Sequence, residues 1–393
     1  MTGAAASTAH PMLKPALRRG WRSRDTVQFG VARAHAVVLG PVDTATGSFL
    51  ELLDGTRGLP LLRQEARALG LPEGRADALV ERLTAAGLLD DPVEGGEWAA
   101  PAWRRGAALD RLRPDLAALS VLCPAPGAAA RLLAARGAMR VQVRGAGRVG
   151  AAVAALLSAS GVGQVDVVDG GCVEPWDVTP GGLPAERIGE RRDAAARGLV
   201  RQAAPGPRPR RPATGAAAAG AAPSGEPGLT LVVIAPRDGL AAYAPDPAEA
   251  EPLLASGTPH LYAGVLEATG VVGPLVLPGI TPCAGCAAAG RTEREPVWPR
   301  MLAQWRSGRR RPTWACDTAL ATVVAGVTAV HALGFLDGRL PASAGARLEA
   351  ALPTLTWDTR RIEPHAECGC GAAGRTDAVY ASVVEAPHAT MSG

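Results

Sequence analysis

Two close pairs of cysteines have the spacing of metal ligands. Cys283 and Cys286 form a C-x-x-C pair, and Cys368 and Cys370 form a C-x-C pair further along the chain. Four thiolates in two pairs are the ligand set of tetrahedral structural zinc, and the glycine inside each pair eases the tight turn. Unrelated buried thiols are the alternative, which the paired spacing disfavours. The odd total of seven cysteines argues against a disulfide framework, so we expect a reduced, cytoplasmic protein.

A glycine-rich turn is the second candidate site. Gly145, Gly147 and Gly150 form G-x-G-x-x-G between an apolar run and an Ala-rich segment. Such glycines let the backbone approach phosphates at a helix N-terminus. Asp169 follows roughly 20 residues later, where an acid could bind a ribose hydroxyl. The motif predicts a nucleotide site without separating NAD from ATP, and close strand–helix packing is the alternative role for the glycines.

A βαβ unit must position these residues. "MRVQVRG" predicts a buried strand, "AGRVGAAVAALLSASG" a helix and "GQVDVVDG" a second strand. Further strands are predicted in "LTLVVIAP" and "GTPHLYAGVLEATGVVGPLVLPG", and a long buried helix in "CDTALATVVAGVTAVHALGFL". The expected fold class is α/β, with a Rossmann-like sheet and a structural zinc site.

The chain before this unit predicts a small α+β domain. "TVQFGV" and "AHAVVLG" have the pattern of short strands. Three segments with leucines at helical spacing follow, namely "DTATGSFLELLDG", "GLPLLRQEARALG" and "PEGRADALVERLTAAGLL". Short strands packed on three short helices resemble a winged helix.

The predicted strands and helices, together with the composition, divide the chain into four regions. They are a winged-helix-like domain at 1–95, a linker at 96–135, the Rossmann-like domain at 136–375 and a tail at 376–393. The Pro/Gly/Ala-rich stretch 203–228 is predicted to be a disordered insertion.

Charge and hydropathy exclude two classes of function. The formal net charge is +4, from 41 basic and 37 acidic residues, which does not indicate a dedicated nucleic-acid binder. The arginines near residue 20 precede the third predicted helix rather than lie on it, so winged-helix DNA binding is the weaker interpretation. The longest apolar segment is interrupted by polar residues, and we expect no membrane span.

The glycine turn followed by two cysteine pairs resembles the ThiF/MoeB superfamily of ubiquitin-activating-enzyme-like adenylyltransferases. The resemblance covers roughly residues 140–370, although the second pair in the family is usually C-x-x-C. It implies ATP and magnesium as ligands, adenylation of a C-terminal carboxylate, and a structural zinc held by Cys283, Cys286, Cys368 and Cys370. It also implies a homodimer.

Several family positions are changed in this chain. The first acid of the family D-x-D matches Asp169, but the ribose-binding acid falls on Gly171. The family arginine and glutamine fall on Pro180 and Gly181, whereas the lysine matches Arg192. The chain uses arginine freely, so codon bias does not account for the proline. The predicted catalytic positions are therefore Arg192 and the magnesium acid Asp238, in a site where we expect weak or absent ATP turnover.

The N-terminal domain resembles the PqqD-type leader-peptide recognition element of azoline cyclodehydratase partner proteins. This resemblance implies that a precursor peptide adds as a strand to the edge of the small sheet. The favoured function is a peptide-presenting scaffold for a YcaO-type enzyme in ribosomal peptide biosynthesis. The alternative is an active adenylyltransferase for a peptide or a ubiquitin-like sulfur-carrier protein.

Overall fold

A computed structural model describes residues 10–92, 106–206, 228–307 and 313–373. The chain forms two compact units, Met1–Gly137 with Pro205–Arg211, and Ala138–Ala204 with Pro212–Gly393. The predicted tail at 376–393 and most of the predicted insertion at 203–228 lie outside the described residues.

The first unit begins with short strands and three helices, close to the sequence prediction. β2 (Arg19–Trp21), β3 (Val27–Phe29) and β4 (Val37–Leu39) form an antiparallel sheet in that order. The helices are α1 (Thr44–Glu51), α2 (Leu59–Ala68) and α3 (Arg75–Ala85). β1 (Met12–Leu13) pairs with β5 (Leu89–Asp90). The predicted strands and helices therefore form, each within a few residues of its expected bounds.

Apolar side chains from the sheet and helices build one core in this unit. Val27, Phe49, Leu62 and Leu83 are each completely buried in it. Asp43 caps α1, because its carboxylate accepts a hydrogen bond of 2.7 Å from the amide of Thr46.

Two helices lie where the sequence predicted a linker. α4 (Gly106–Leu122) and α5 (Ala128–Ala138) occupy much of the stretch 96–135. Pro114 lies within α4, and proline ordinarily disfavours a helix interior. Helix forms because the leucines of both segments pack into a small core, in which Leu112 is fully buried and Leu133 nearly so.

The second unit is built on a mixed seven-stranded sheet in the described part of the chain. Its strands are β6 (Arg140–Arg144), β7 (Gln164–Val168), β8 (Leu231–Ile234), β9 (His260–Leu266), β10 (Thr269–Val276), β11 (Ala346–Ala351) and β12 (Trp357–Arg361). The order is β12-β11-β10-β9-β8-β6-β7. The strands from β7 to β9 are parallel, and those from β9 to β12 are antiparallel. The carboxyl ends of β6, β7 and β8 therefore meet at one edge.

Helices complete the α/β architecture of this unit. They are α6 (Arg148–Ala159), α7 (Arg192–Ala203), α8 (Gly239–Tyr243), α9 (Pro247–Ala255), α10 (Ala284–Arg294), α11 (Trp298–Arg306) and α12 (Thr318–Leu336). α6 contacts both α7 and α12, and these helices share the main core with the inner strands.

Helix α12 is the one described helix whose length and composition would suffice to cross a membrane. In this fold it packs on α6, β9 and β10. Leu320, Val324 and Ala332 are essentially fully buried in the main core. Its apolar character is therefore explained as that of a core helix, as the sequence predicted.

Candidate functional site

The glycine turn joins β6 to α6 at the carboxyl edge of the sheet. Gly145 has a positive φ of 105°, and its amide donates to the carbonyl of Val168 at 2.9 Å. A Cβ on Gly145 would lie 2.0 Å from the carbonyl oxygen of Ala235, and one on Gly150 would lie 2.1 Å from that of Gly145. Backbone packing alone therefore requires two of the three motif glycines.

Arg237 covers the third glycine. A Cβ on Gly147 would lie 2.8 Å from Cγ of Arg237, so the arginine stem packs directly against the turn. The guanidinium Nε donates to Asp177 at 2.9 Å, and Nη2 donates to Glu174. The same group stacks on the ring of Trp314 at 4.6 Å. Arg237 thus occupies the surface of the turn that a phosphate would approach.

Arg192 and Asp169, both predicted site residues, neutralise each other. Their side chains are each 9% exposed, and Nε of Arg192 donates to Oδ1 of Asp169 at 2.9 Å. The remaining guanidinium nitrogens donate to the carbonyls of Cys172, at 2.5 Å, and Gly170. The other carboxylate oxygen of Asp169 accepts the amide of Ala146 at 2.5 Å. This network fixes the glycine turn to the loop after β7.

A cavity of about 640 Å³ opens beside the turn. Its charged lining residues are Arg148, Arg237, Glu174 and Asp177. Arg148, at the start of α6, donates to the carbonyls of Trp176 at 2.6 Å and Cys316 at 2.7 Å. Glu174 is the half-buried acid of the lining, and Asp177 is the buried one. The lining therefore carries two arginines and two carboxylates, and both carboxylates are paired with Arg237.

The positions that depart from the family pattern lie in loops whose backbone geometry suits the residues present. Gly171 has a positive φ of 74°, and a Cβ there would lie 2.9 Å from Nη2 of Arg192. Pro180 and Gly181 lie exposed in a turn closed by the amide of Gly182 and the carbonyl of Thr179. An aspartate at position 171 would therefore adopt a strained backbone conformation and require the guanidinium of Arg192 to shift.

The predicted magnesium acid lies near this site, at the end of β8. Asp238 is exposed and caps the short helix α8, because its carboxylate accepts the amide of Leu240 at 2.9 Å. Arg187 and Arg191, two further arginines close to Arg192 in sequence, pair on the surface with Glu190 and Asp193 respectively. The structure thus gathers Gly145, Gly147, Gly150, Asp169 and Arg192 and leaves these two arginines in local ion pairs.

Cys316 does not have the environment of an activated thiol. Burial raises the pKa of this thiol, and the nearby positive charge of Arg148 opposes that effect only in part. Removal from water outweighs the neighbouring charge.

Sequence reasoning missed Arg237, Glu174 and Trp314. Arg237 directly precedes the predicted acid and follows β8, whose carboxyl end lies beside the glycine turn. That position was the available signal, since the carboxyl ends of neighbouring parallel strands share an edge.

Replacing Arg237 with alanine is expected to lower the free energy of unfolding by about 3 kcal/mol, because it removes a partner from the buried carboxylate of Asp177. The loss lies at the lower end of the usual range since Arg192 remains 3.6 Å from Asp177. Arg187→Ala is the matched control; its exposed ion pair with Glu190 should contribute at most about 1 kcal/mol. Urea unfolding that gives equal losses for both variants would contradict this assignment.

The four paired cysteines form a separate cluster. Their Sγ atoms all lie within 4.8 Å of one another, and the pairs Cys283–Cys368 and Cys286–Cys370 are each 3.5 Å apart. Zinc–sulfur bonds of about 2.3 Å in tetrahedral geometry require sulfurs roughly 3.8 Å apart. The cluster therefore fits a metal such as zinc, and a hydrogen bond from Cys283 holds the pKa of the Cys286 thiol well below its ordinary value.

The ThiF family model matches residues 129–372, which is more than half of the chain. A search of the curated proteins finds no match.

Solved structures with the same fold include Escherichia coli MccB. MccB with ATP is 14% identical, with a TM-score of 0.64, and MccB with AMPCPP and MccA is 15% identical, with a TM-score of 0.65. Each match covers 92% of this chain and 99% of the other. MccB, a microcin C7 biosynthetic enzyme, has also been solved with N-formylated MccA. The heterocyclase TruD is 17% identical with a TM-score of 0.58, and the match covers 93% of this chain and 43% of TruD.

Proposed function

Because the chain belongs to the ThiF family, we propose that it binds a precursor peptide and presents it to a modifying enzyme without activating a carboxylate itself. The structure of MccB, a biosynthetic enzyme, in complex with N-formylated MccA supports a ligand of this kind for a related fold. The match to a heterocyclase over nearly the whole chain supports a place in azoline formation. In this proposal a YcaO-type enzyme supplies the ATP chemistry.

The proposal rests mainly on the hydrogen bonds that the arginines around the glycine turn already make. Arg148, Arg192 and Arg237 all donate to groups of the protein itself. Adenylation needs positive charge and free donors aimed at the phosphates. Here Arg192 and Arg237 are each paired with carboxylates and Arg148 donates to backbone carbonyls, so we infer a degenerate site with weak or absent binding of ATP and magnesium.

The retained turn supports the second candidate, an active adenylyltransferase. Gly145 and Gly147 still open α6, where helix N-termini bind phosphate. Asp238 stays exposed near the same edge and could bind magnesium. ATP–pyrophosphate exchange in the presence of a bound peptide separates the two candidates.

We place the peptide at the edge of β4 in the PqqD-like N-terminal unit. β3 is paired on both sides, so β2 and β4 are the edges of the sheet. At the β2 edge, Arg19 pairs with Glu51 of α1, and Trp21 lies against Gly47 of the same helix. At the β4 edge, the side chain of Val38 is nearly half exposed. A peptide strand there would donate and accept main-chain hydrogen bonds with β4.

Candidate precursor peptides encoded beside the gene are expected to bind this edge, as measured by fluorescence polarisation. N-methylation of every second peptide amide removes the donors that face β4. Each lost hydrogen bond is worth about 1 kcal/mol, so two should weaken binding by roughly thirtyfold. Methylating the other alternate set, whose amides face away, is the control and should have little effect.

Val38→Glu should also weaken peptide binding, by roughly fivefold, since it replaces an apolar cross-strand contact worth up to about 1 kcal/mol. Gly20→Glu on β2 is the matched control, because a Cβ there meets nothing within 4 Å. Equal losses from the two variants, or equal losses from the two methylated peptides, would contradict the edge assignment.

The proposal includes a cytoplasmic homodimer. The family resemblance implies this dimer, and Val330, which is mostly exposed on the apolar helix α12, would lie at the contact. Sedimentation that gives only a 40.0 kDa species at micromolar concentration would contradict the dimer.

A further inference from the structure

We propose that a pocket at one end of the small sheet binds a large aliphatic side chain of the precursor peptide, beside an acidic residue of the same peptide. The proposal rests on the peptide-binding function proposed above and adds which residues the peptide must carry. The pocket has a volume of about 340 Å³ and lies within the first unit. That volume is at the lower end of the range of ligand pockets, so it suits a side chain rather than a whole small molecule.

Three segments of the first unit form the walls of the pocket. Leu17 directly precedes Arg18 and β2, Val31 lies in the connection between β3 and β4, and Val121 lies near the end of α4. A backbone hydrogen bond joins the first two segments, since the amide of Gly30 donates to the carbonyl of Arg18 at 2.8 Å. The walls are therefore preformed, which lowers the entropic cost of binding.

Apolar side chains are left exposed at this pocket. Val31 is 76% exposed, the highest value among the large apolar side chains that the structure describes. Leu122, next to Val121 on α4, is 50% exposed. Burial of apolar area is favourable in proportion to the area removed from water, and anchor residues of an interface typically fill such pockets.

The pocket lies at the end of the sheet where β4 begins. Phe29 of β3 pairs with Val37 of β4, so the connection between these strands closes this end of the sheet. His35 of that connection lines the pocket, two residues before the start of β4. A peptide strand that pairs with β4 and continues past Val37 would therefore bring its next side chains to the pocket.

The positive charge at this end of the sheet has no partner among the described residues. Arg18 lines the pocket, and Arg33 lies on the connection between β3 and β4. Both are exposed, and within the described ranges neither makes an ion pair or a side-chain hydrogen bond. Asp25, the one acidic residue among residues 10–40, lies in the turn at the opposite end of the sheet. An acidic residue of the peptide would therefore meet arginines that no carboxylate already neutralises.

The shape of the site favours a peptide over a nucleic acid. Phosphates would be bound by the arginines alone and would leave the apolar pocket unfilled. A peptide strand would instead combine main-chain pairing along β4 with one anchored side chain, as is usual when a strand is added to a sheet edge.

The first test fills the pocket in the full chain and measures binding of the fluorescein-labelled precursor peptide encoded beside the gene. Ala32→Trp should weaken binding about tenfold, because the apolar anchor is excluded. Ala34→Trp is the matched control, since Ala34 is exposed on the same connection but does not line the pocket. An alanine scan of the peptide should find one aliphatic residue whose loss weakens binding to the wild-type chain but has little further effect on the Ala32→Trp variant.

The second test reverses the charge without filling the pocket. Arg18→Glu should weaken binding about tenfold, because an attraction to the peptide carboxylate becomes a repulsion. Arg24→Glu is the control with the same change of charge, because Arg24 is exposed in the turn at the opposite end of the sheet. A peptide in which the acidic residue next to the anchor is changed to its amide should bind the wild-type chain and the Arg18→Glu variant about equally.

Four results would overturn the proposal. Binding unchanged by both Ala32→Trp and Arg18→Glu would exclude the pocket and leave the β4 edge, which the methylated peptides test separately. Equal losses from each variant and its control would show a general effect on the unit. Tighter binding of a short DNA duplex than of the peptide would identify a nucleic-acid site. Failure of every precursor peptide to bind the wild-type chain would overturn this proposal together with the proposed function.

Discussion

Purified protein is expected to contain one zinc ion per chain, and Cys283→Ser is expected to contain none and to lose the fold around the cysteine cluster. The four sulfurs are already spaced for a tetrahedral ion. Binding of structural zinc is worth roughly 10 to 16 kcal/mol in small domains, comparable with the entire stability of a typical protein. Loss of even a fraction of that binding energy would therefore lower the free energy of unfolding substantially.

The segment that carries the second cysteine pair is held by few other contacts between polar groups. Its backbone hydrogen bonds outside regular elements run from Ile362 to Gly345 and from Cys368 to His365, and His365 lies 2.9 Å from Glu293 of α10. A metal would add four bonds that join this segment to the start of α10.

Elemental analysis and thermal unfolding of the Cys283→Ser variant test this expectation. Cys172→Ser is the control, because Cys172 is exposed and outside the cluster, and it should retain the metal and the wild-type Tm. Metal-free wild-type protein that unfolds with the same Tm in chelator would contradict a structural zinc site.

Adenylation is expected to be slower than in an active family member by about 10⁴-fold or more. In the proposed degenerate site, the family arginine is replaced by Pro180 and Arg192 is committed to Asp169. One preorganised donor contributes about 3 to 4 kcal/mol to the transition state, so the loss of these two corresponds to at least four powers of ten in rate.

Restoring the two side chains is not expected to restore the reaction. In the double variant Gly171→Asp with Pro180→Arg, the new aspartate would lie against Arg192 with a positive φ. Arg237 would still cover Gly147 and remain paired with Glu174 and Asp177. Activity gained by this double variant would place the defect in the two missing residues alone rather than in the arginine network.

Local patterns were sufficient to predict the framework of the site. The spacing of Gly145, Gly147 and Gly150 placed the turn between β6 and α6, and the cysteine pairs predicted the cluster that the fold assembles. Both signals are contained in short stretches whose geometry is set by the backbone or by ligand spacing.

The side-chain contacts that determine the chemistry of the site could not be predicted from local patterns, because they join residues distant in sequence. Arg237 meets Asp177 and Glu174 from 60 and 63 residues away in sequence. Only the sheet order, with β8 beside β6, brings those side chains together. Within the predicted linker at 96–135, the helices α4 and α5 bury leucines against each other, which outweighs the local effect of Pro114.

The most direct test of the account is ATP–pyrophosphate exchange with magnesium and a precursor peptide that the chain has been shown to bind. An active family member serves as the positive control. If the chain is a peptide-presenting scaffold, the peptide binds, and labelled pyrophosphate enters ATP no faster than in a reaction without the protein. Peptide-dependent exchange that is abolished by Asp238→Ala would contradict it and would identify the chain as an active adenylyltransferase.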